Sequence, residues 1–546
     1  MQSNEGLVDE GFEIFGAEDE KSSVMPTVYT IVFFAVVWLA LNIWAAIYMV
    51  KSRNIYFWDA STYWDLSRGI ASGSIHCSPS DIYKSICELD YNYIAALPGV
   101  VWTWIFGSSR MAYVLGLVNM YLMPAIAMLY VIAKKLSKGA KAAVVLTFFA
   151  VPSLMFMTLI GFVDVGGMLP CLLALYLYFT KKEKRIGLWR HIAIGALLVF
   201  VMLWRRWYAF FAVSFITAMA ADAIIFRKNI LGAIVTALTS AAILLLCFRG
   251  FVFDKLLADY GNLYSGYRFS ALTDLKLAAR YFGVLTVIAL AAASVAAGIF
   301  KGEKKTVVLW VQMIVCFVMF ISTQTHGQQH LLLYIPSLTV MALILIRHID
   351  NVWLLGFTAL LGLTSIISVH IPRQQPNSIS EIAHYAFIPD FSMRSIVRSD
   401  ADEVLALKRS LDAQVPVGDK LGVLASSFTL NEGILQNVEA SLGLKEEREN
   451  YIVCLPQVDS RDNDCYWLYN VNYMLVAYPA QTHLAPYNQR IVTEAVQSFE
   501  VYADFAMAFE EVPEAAATLD GMELRLYRRV REVFNSDKVI FEQRIR

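Results

Sequence analysis

Long apolar runs, separated by short polar connections, dominate the chain from Pro26 to His370. A helix needs roughly 17–25 residues to cross the hydrocarbon core of a bilayer. The runs that approach or reach this length are 26–50, 111–134, 140–158, 166–181, 189–204, 207–226, 229–248, 281–300, 306–323, 331–346 and 352–370. The pattern therefore predicts a polytopic α-helical membrane protein with about eleven transmembrane helices, of which 166–181 and 189–204 are short.

The charges of the connections predict which side of the membrane each one faces. Lys and Arg collect in alternate short connections, and such loops face the cytoplasm. These basic connections are 134–141, 181–185, 226–229, 301–305 and 347–348. We therefore expect a multi-pass protein of the plasma (inner) membrane with a cytoplasmic tail at 1–25 and a transmembrane domain at 26–370. The external parts would be the loops 51–110 and 249–280 and the domain 371–546.

The last third of the chain alternates between strand-like and helix-like segments. KLGVLASS (420–427), NYMLVAYP (472–479) and MELRLYRR (522–529) are strand-like. The segments 402–414 and 431–443 carry apolar residues at helical spacing. The sequence shows no phosphate loop, metal cluster or catalytic triad there. The pattern predicts an extracytoplasmic soluble α/β domain with a supporting or acceptor-binding role.

Net charge and cysteine positions describe the partners and the compartment. A net charge of −1 gives no reason to expect nucleic acid as a partner. Three of the seven cysteines lie inside predicted helices. The other four form two close pairs on the predicted external side, Cys77 with Cys87 and Cys454 with Cys465. An oxidising compartment favours disulfides, so we predict two of them, with four free thiols as the alternative.

Acidic residues stand at the predicted external face, where ionisable groups at membrane depth are costly and tend to mark function. The segment FWDASTYWDLSRGIASG (57–73) places Asp59 and Tyr63 on one face of a helix, whereas Asp65 points elsewhere. A carboxylate beside aromatic rings can act as a general base, and the alternative is that Asp59 caps an interfacial helix. Asp164 in GFVDVGG is a second acidic position, although Asp is also an ordinary turn residue beside glycine.

Cations and aromatic residues occupy two further segments of the same face. WRRWY sets Arg205 and Arg206 in a very short connection on the side where cations are disfavoured. A guanidinium binds phosphate through two parallel hydrogen bonds, which favours a phosphate-binding role over contact with lipid head groups. Tyr264, Tyr267 and Arg268 in the second long loop are candidate substrate contacts, with ordinary interfacial aromatic residues as the alternative.

A polar cluster opens the tenth predicted helix in TQTHGQQHLLLYIP (323–336). Its candidate substrate contacts are His326, Gln329 and Tyr334, and His330 is the candidate for the phosphate of a donor. No carboxylate or Cys accompanies the two histidines. The sequence therefore assigns no metal ligand and no certain cofactor, and it leaves a divalent metal open.

In order and spacing, these segments resemble the GT-C superfamily of membrane glycosyltransferases that use polyprenyl-phosphate-linked sugars. The similarity covers roughly residues 26–350 and is greatest to the branch of the aminoarabinose lipid A transferases and protein O-mannosyltransferases. The acidic residue that opens the first external loop corresponds to Asp59, and the acidic position after the third helix corresponds to Asp164. The family often has two adjacent acids at the first position, whereas here Asp59 precedes an alanine. Either Asp65 or Asp164 then supplies the second carboxylate.

Other parts of the resemblance concern the phosphate of the donor. The family's basic residue after the fifth helix corresponds to Arg205 or Arg206. Its basic or His-containing start to a Tyr/Leu/Pro helix corresponds to His330 and Tyr334 in HLLLYIP. The resemblance also implies that the apolar stretch 91–107 lies at the external interface and does not form a separate span.

The resemblance implies transfer of one sugar from a polyprenyl phosphate to a hydroxyl of an extracytoplasmic glycan, glycolipid or protein. Asp59 would remove the proton of the acceptor hydroxyl, and direct attack would invert the anomeric carbon. Two other functions remain alternatives, a transporter (flippase) for a lipid-linked sugar and a non-catalytic envelope assembly protein. The charged residues collect at one face without an internal repeat, which is atypical of transporters.

Overall fold

The computed structural model describes residues 27–137, 139–141, 143–144, 153–180, 187–228, 230–282, 284–348, 398–448, 451–462 and 464–545. The predicted tail 1–25, the predicted helix 352–370 and residues 142 and 145–152 of the predicted helix 140–158 lie outside the described residues.

Helices make up the first part of the chain, up to Ile346. They are α1 (Thr27–Ser52), α2 (Trp58–Ser72), α3 (Pro79–Glu88), α4 (Leu97–Phe106), α5 (Arg110–Leu136), α6 (Ser153–Leu159), α7 (Val163–Phe179), α8 (Leu188–Trp204), α9 (Tyr208–Ile225), α10 (Leu231–Cys247), α11 (Tyr260–Leu263), α12 (Ala271–Phe282), α13 (Val284–Lys301), α14 (Lys305–Ile321) and α15 (Ile335–Ile346). Each predicted run that the structure describes coincides with one of these helices.

Three of the described helices, α1, α5 and α9, are long and apolar enough to cross a membrane. Seven shorter apolar helices of 10–17 residues accompany them, namely α4, α7, α8, α10, α14, α15 and the apolar part of α13. Helix α4 has 10 residues, which makes it about 15 Å long, about half the thickness of a bilayer core. Its length fits the interfacial position expected for 91–107. The total of about eleven spans stays a prediction.

The C-terminal part is built around a mixed six-stranded sheet. Its strands are β1 (Leu421–Leu424), β2 (Ile452–Val453), β3 (Tyr473–Tyr478), β4 (Phe509–Glu511), β5 (Ala517–Leu519) and β6 (Met522–Arg529). Its helices are α16 (Ala401–Gln414), α17 (Glu432–Ser441), α18 (Tyr466–Asn470), α19 (Arg490–Val501) and α20 (Asn535–Ile545). The strand order is β2-β1-β3-β6-β4, with β5 paired to β6.

Alternation along β3 explains how this sheet holds two cores. Leu475 and Ala477 face the core shared with α16 and α17, while Met474 and Val476 face the core shared with α19. Successive strand residues point to opposite faces, so a run of apolar residues serves a sheet that is covered on both sides. The β1–β2 and β1–β3 pairs are parallel, and β6 runs antiparallel to β3, β4 and β5. The predicted α/β character of this region is confirmed.

The linker between α1 and α2 joins the two parts of the molecule. Ile55 is fully buried in the core of the C-terminal sheet, and Phe57 packs against the same core. The backbone N–H of Tyr56 donates to Ser441 Oγ at 3.1 Å, and Arg53 forms an ion pair with Asp402 at 2.6 Å. The start of α2 is therefore held by the C-terminal domain.

All four of these cysteines are free thiols in the structure, so the two predicted disulfides are not formed. Cys77 precedes α3 and Cys87 lies near its end, so the helix holds them apart by about 12 Å. A disulfide needs Cα atoms about 4.4–6.8 Å apart. Cys454 instead contacts Glu432 at 3.5 Å, and Cys465 stands at the start of α18. Closeness in sequence was a poor guide here, because a helix or different partners separate each pair.

Candidate active site

The first turn of α2 presents Asp59 at the junction of the two parts of the molecule. Trp58, which precedes it, has a positive φ of 50°, a backbone conformation that is rare for a bulky residue and often found at functional sites. The helix ends at Gly73, whose left-handed conformation (φ 80°) suits glycine. Tyr63, one turn after Asp59, shares its face.

The turn between α8 and α9 carries the two arginines. Arg205 ends α8 in an extended conformation, and the N–H of Tyr208 donates to the Arg205 carbonyl at 2.9 Å. Neighbouring side chains on extended backbone point in opposite directions, so Arg205 turns inward and Arg206 turns away from it. Glycine is required opposite this turn, because a Cβ on Gly166 or Gly167 would collide with the rings of Trp204 or Tyr208. Gly166 and Gly167 therefore let the segment that carries Asp164 pack closely against the turn that carries Arg205.

Arg205 links two carboxylates that are far apart in sequence. Its Nη2 lies 2.9 Å from Asp59 Oδ2, and its Nε lies 3.1 Å from Asp164 Oδ1. Its Nη1 donates to the hydroxyl of Tyr63 at 2.9 Å, and the hydroxyl of Tyr91 donates to Asp59 Oδ1. Two carboxylates around one guanidinium give a net charge of −1 with the phenols neutral. We call Asp59, Asp164, Arg205, Tyr63 and Tyr91 the carboxylate cluster.

Exposure separates the two carboxylates of this cluster. The side chain of Asp59 is 23% exposed, whereas those of Asp164 and Arg205 are 4% and 5% exposed. Oδ2 of Asp164 is buried without a hydrogen-bond partner among the described residues. Asp59 is therefore the carboxylate that a substrate can reach. The buried Asp164 holds Arg205 in place through their ion pair.

Arg206 belongs to a second group of charges beside the first. Its Nη1 lies 2.9 Å from Asp90, its Nη2 donates to the hydroxyl of Tyr264 at 2.5 Å, and Lys255 lies 3.1 Å from Asp90. The guanidinium also stands 4.9 Å from the ring centre of Tyr260. Burial alone would raise the pKa of Asp90, but Arg206 and Lys255 outweigh it and hold that pKa below its usual value. We call Arg206, Lys255 and Asp90 the cation group; its net charge is +1.

His330 is separated from the cation group by Trp207. It is buried, its ring packs 4.9 Å from that of Trp207, and its Nδ1 accepts from the N–H of Gly327 at 2.8 Å. Gln329 is half-buried on the same 3₁₀ turn, Gln328–Leu333. The predicted role of His330 at the phosphate thus stays a prediction, and Trp207 lies between it and Arg206.

His326 and Tyr334 form a buried chain with Asp274 of α12. His326 Nδ1 lies 2.8 Å from Asp274, and its Nε2 lies 2.6 Å from the hydroxyl of Tyr334. The ring of His326 is also stacked on Phe320 at 4.2 Å. All three members of the chain are buried. This arrangement ties α12 to the start of α15. His326 and Tyr334 are only 3% and 5% exposed, so little of either side chain is open to a substrate.

Replacement of His326 by alanine is expected to lower the stability of the protein. The substitution removes a hydrogen bond to a buried carboxylate, which costs about 1.5–3 kcal/mol. Thermal unfolding in detergent should show a lower Tm, while the exposed His76 replaced by alanine should leave Tm unchanged. A normal Tm together with impaired substrate binding would instead indicate that His326 contacts the substrate.

Aromatic rings from α2, from the loop before α12 and from the C-terminal domain meet beside Asp59. The ring of His483 lies 4.7 Å from that of Trp58, and its Nε2 lies 3.3 Å from the hydroxyl of Tyr267. Arg461 Nη1 donates to the same hydroxyl at 3.1 Å. Burial raises the pKa of Tyr267 to about 12 and lowers that of His483, so both are neutral at pH 7. Trp58, Tyr267 and His483 form what we call the aromatic wall.

Two predicted site residues lie outside these groups. Asp65 pairs with Arg68 at 2.8 Å, and Arg68 also binds Glu446 of the C-terminal domain at 3.2 Å. Arg268 is exposed at the end of the loop that carries Tyr267. Of the two candidates for a second carboxylate, the structure therefore brings Asp164, and not Asp65, to the guanidinium that Asp59 binds.

Sequence reasoning missed Asp90, Tyr91, Lys255 and His483. The positive-inside bias that singled out the two arginines also disfavours Lys255 in a loop predicted to be external, so this signal was present. Asp90 and Tyr91 lie at the start of the apolar stretch 91–107, which was interpreted as an interfacial element without a functional side chain. His483 had no signal, because only the folded C-terminal domain brings it to Trp58. Within the described residues, no three His, Cys, Asp or Glu side chains group as metal ligands would.

Comparisons with known proteins bear on the fold. No protein-family profile and no curated protein matches the sequence. The chain is similar to the crystal structure of apo ArnT from Cupriavidus metallidurans, with 11% identity, coverage of 92% of this chain and 98% of ArnT, and a TM-score of 0.54. ArnT bound to undecaprenyl phosphate gives 11% identity, the same coverage and a TM-score of 0.52. ArnT is a GT-C membrane glycosyltransferase, so the predicted resemblance is confirmed for the fold.

A more distant similarity exists to the archaeal oligosaccharyltransferase AglB from Archaeoglobus fulgidus, in complex with an inhibitory peptide and a dolichol-phosphate. Its TM-score is 0.41, with 12% identity and coverage of 80% of this chain and 69% of AglB.

Proposed function

We propose that this protein is a membrane glycosyltransferase that moves a sugar from a polyprenyl phosphate to a hydroxyl of an extracytoplasmic cell-envelope acceptor. One observation carries the proposal: a reachable carboxylate, Asp59, stands beside a cation group suited to a phosphate. The two groups are neighbours because two consecutive pairs join them, Arg205 with Arg206 and Asp90 with Tyr91. ArnT was solved with undecaprenyl phosphate, which supports a polyprenyl donor for this fold.

In this proposal the cation group receives the donor phosphate. Arg206 offers a planar guanidinium and Lys255 a second positive charge, while Asp90 keeps both ordered until the donor arrives. A phosphate that replaces Asp90 as their partner would be neutralised as it leaves, and preorganised charge of this kind is a large catalytic term. Arg205 is less suited to the phosphate, because two carboxylates already engage it.

Asp59 then acts as the general base. The acceptor oxygen attacks the anomeric carbon, its proton passes to Asp59, and the bond between that carbon and the phosphate oxygen breaks. The polyprenyl phosphate leaves with the bonding electrons, and a single displacement inverts the anomeric centre. Arg205 holds the carboxylate in position through its ion pair. A base of this kind contributes about 10²–10⁴-fold.

The aromatic wall is the part of the site best placed to bind the acceptor. It lies next to Asp59, and its rings come from α2, from the loop before α12 and from the C-terminal domain. Flat rings and phenol hydroxyls suit the apolar faces and hydroxyls of sugars. The C-terminal domain would thus determine which acceptor is used.

Replacement of His483 by alanine is expected to raise the KM for the acceptor about 2–10-fold and to leave donor affinity unchanged. His483 orients Trp58 and Tyr267, and such ring contacts contribute about 0.5–1.5 kcal/mol. Steady-state kinetics with saturating donor would measure the effect, with the exposed Tyr466 replaced by alanine as the control. Weaker donor binding with an unchanged acceptor KM would contradict this role.

A reconstitution assay tests the proposed function itself. Purified protein in liposomes would receive a polyprenyl phosphate that carries a radiolabelled sugar, together with envelope material. Label joined covalently to an acceptor supports the transferase, label moved across the bilayer without transfer indicates a transporter, and neither result leaves an assembly protein. Mass spectrometry of envelope glycans with and without the chain would identify the sugar and the acceptor.

A further inference from the structure

A pocket of about 500 Å³ lies at the end of the helical bundle opposite Asp59. The C-terminal ends of α7 and α9 and the N-terminal ends of α8, α10 and α14 form it. Helix α9 begins at Tyr208 beside the candidate active site and reaches this pocket at Asp222, about 20 Å further along the helix axis. The pocket is therefore a separate site.

Positive charge predominates in its lining. The charged residues there are Arg190, Lys228, Lys304, Lys305 and Asp222. With the neighbouring His191 neutral, they give a net charge of +3. Asp222 is already engaged, because its oxygens lie 2.9 and 2.8 Å from Lys228 Nζ and Tyr178 donates to it at 2.5 Å. Among the described residues that line the pocket, no carboxylate is left to balance Arg190, Lys304 and Lys305.

The remaining donors are available to an anion. Nη1 of Arg190 is buried without a hydrogen-bond partner among the described residues. Lys304 Nζ stands 5.2 Å from the ring centre of Phe226. Glu303, the nearest acid in sequence, accepts from the backbone N–H of Lys305 at 2.9 Å and lies 3.5 Å from His348. An anion of two or more oxygens would satisfy donors that the protein leaves open.

The helix ends that form the pocket also carry large exposed apolar side chains, which are close to lining residues in sequence and are not part of the lining. We call these side chains the apolar rim; they are Leu188, Trp189, Ile224, Ile225 and Leu231. They sit at the ends of helices that are apolar along their length, which places them at a membrane interface, where Trp is common. A cationic interior with an apolar rim matches an amphiphile, with its anionic head group inside and its chains along the rim.

We propose that this pocket binds the phosphate head group of an anionic phospholipid from the leaflet opposite the candidate active site. Basic pockets between transmembrane helices bind such head groups, and each Lys or Arg near an anionic surface contributes about 1 kcal/mol. A zwitterionic phospholipid carries its own cation and gains little from this lining. Inorganic phosphate shares the anion but cannot use the apolar rim.

Binding to the purified full-length protein in detergent tests the proposal. The probes are short-chain phosphatidylglycerol, short-chain phosphatidylcholine and inorganic phosphate, with affinity measured by titration of the thermal unfolding curve. We expect saturable stabilisation by phosphatidylglycerol alone. The double variant Lys304→Gln/Lys305→Gln should raise its Kd roughly 30-fold, whereas Lys301→Gln, an exposed cation outside the pocket, should not change it.

Three results would overturn the proposal. They are equal binding of phosphatidylcholine, equal binding of inorganic phosphate, and an unchanged Kd in the double variant. The thermal unfolding curve of the lipid-free double variant serves as the folding check and should match that of the native protein. If the double variant failed this check, the single variant Arg190→Gln would take its place, with an expected rise in Kd of roughly fivefold.

Discussion

An Asp59→Asn variant is expected to transfer sugar about 10²–10⁴-fold more slowly than the native protein while remaining folded. The carboxylate cluster has one more negative charge than positive charge, so Arg205 keeps Asp164 as its partner after the substitution. Asparagine keeps the shape of the side chain; its one amide oxygen can still accept from Arg205, and its amide NH2 can donate to the hydroxyl of Tyr91. Turnover of a radiolabelled polyprenyl-phosphate sugar by purified variants would measure the loss, with Tm and donor Kd recorded alongside.

Asp65→Asn is the matched control for that experiment. It removes a carboxylate from the same helix, but that carboxylate pairs with Arg68 outside the cluster. We expect nearly native turnover from this variant. Native turnover in Asp59→Asn would refute the general-base assignment, and a large loss in Asp65→Asn would make Asp65 the second functional carboxylate.

An Arg206→Gln variant is expected to bind the polyprenyl-phosphate donor about 10–100-fold more weakly. A hydrogen bond to a charged group contributes about 1.5–3 kcal/mol, and Arg206 offers such bonds from a position that is 17% exposed. The loss should appear in the donor Kd, and kcat at saturating donor should change less. Equilibrium binding of labelled polyprenyl phosphate at low and high salt would measure it, and the native affinity should fall more steeply with salt.

Arg249→Gln is the control for Arg206, because Arg249 is an exposed cation of the same loop region that stands beside Phe253 and outside the cation group. A Lys255→Gln variant should lose affinity in the same direction as Arg206→Gln. If Arg206→Gln bound the donor normally, the phosphate contact would have to lie elsewhere, and the proposed division of labour between the two arginines would be wrong.

The apolar pattern predicted most of the fold, because crossing a membrane and alternating along a strand leave strong periodic signals. Helices α1, α5 and α9 and strands β1, β3 and β6 all coincide with predicted segments. The disulfides were predicted wrongly, because spacing along the chain says nothing about the helix that separates Cys77 from Cys87. For two cysteines close in sequence, the local backbone conformation decides whether they can form a disulfide.

The candidate site was predicted in its parts and not in its connections. Asp59, Asp164 and Arg205 were each recognised as costly groups at one face, yet they are 146 and 41 residues apart in the pairs that the structure forms. Only tertiary packing reveals that Arg205 is occupied by two carboxylates, which shifts the phosphate proposal to Arg206. His483 could not be placed at all without the contact between the C-terminal domain and Trp58.

The linker between α1 and α2 also sets when a newly made chain can first work. Asp59 follows this linker directly, but Tyr56 in the linker bonds to Ser441, which the ribosome adds 385 positions later. A nascent chain with all its helices inserted still lacks the domain that buries Ile55. We expect the proposed sugar transfer to begin only after that domain has folded. Incomplete chains would stay inert and consume no donor.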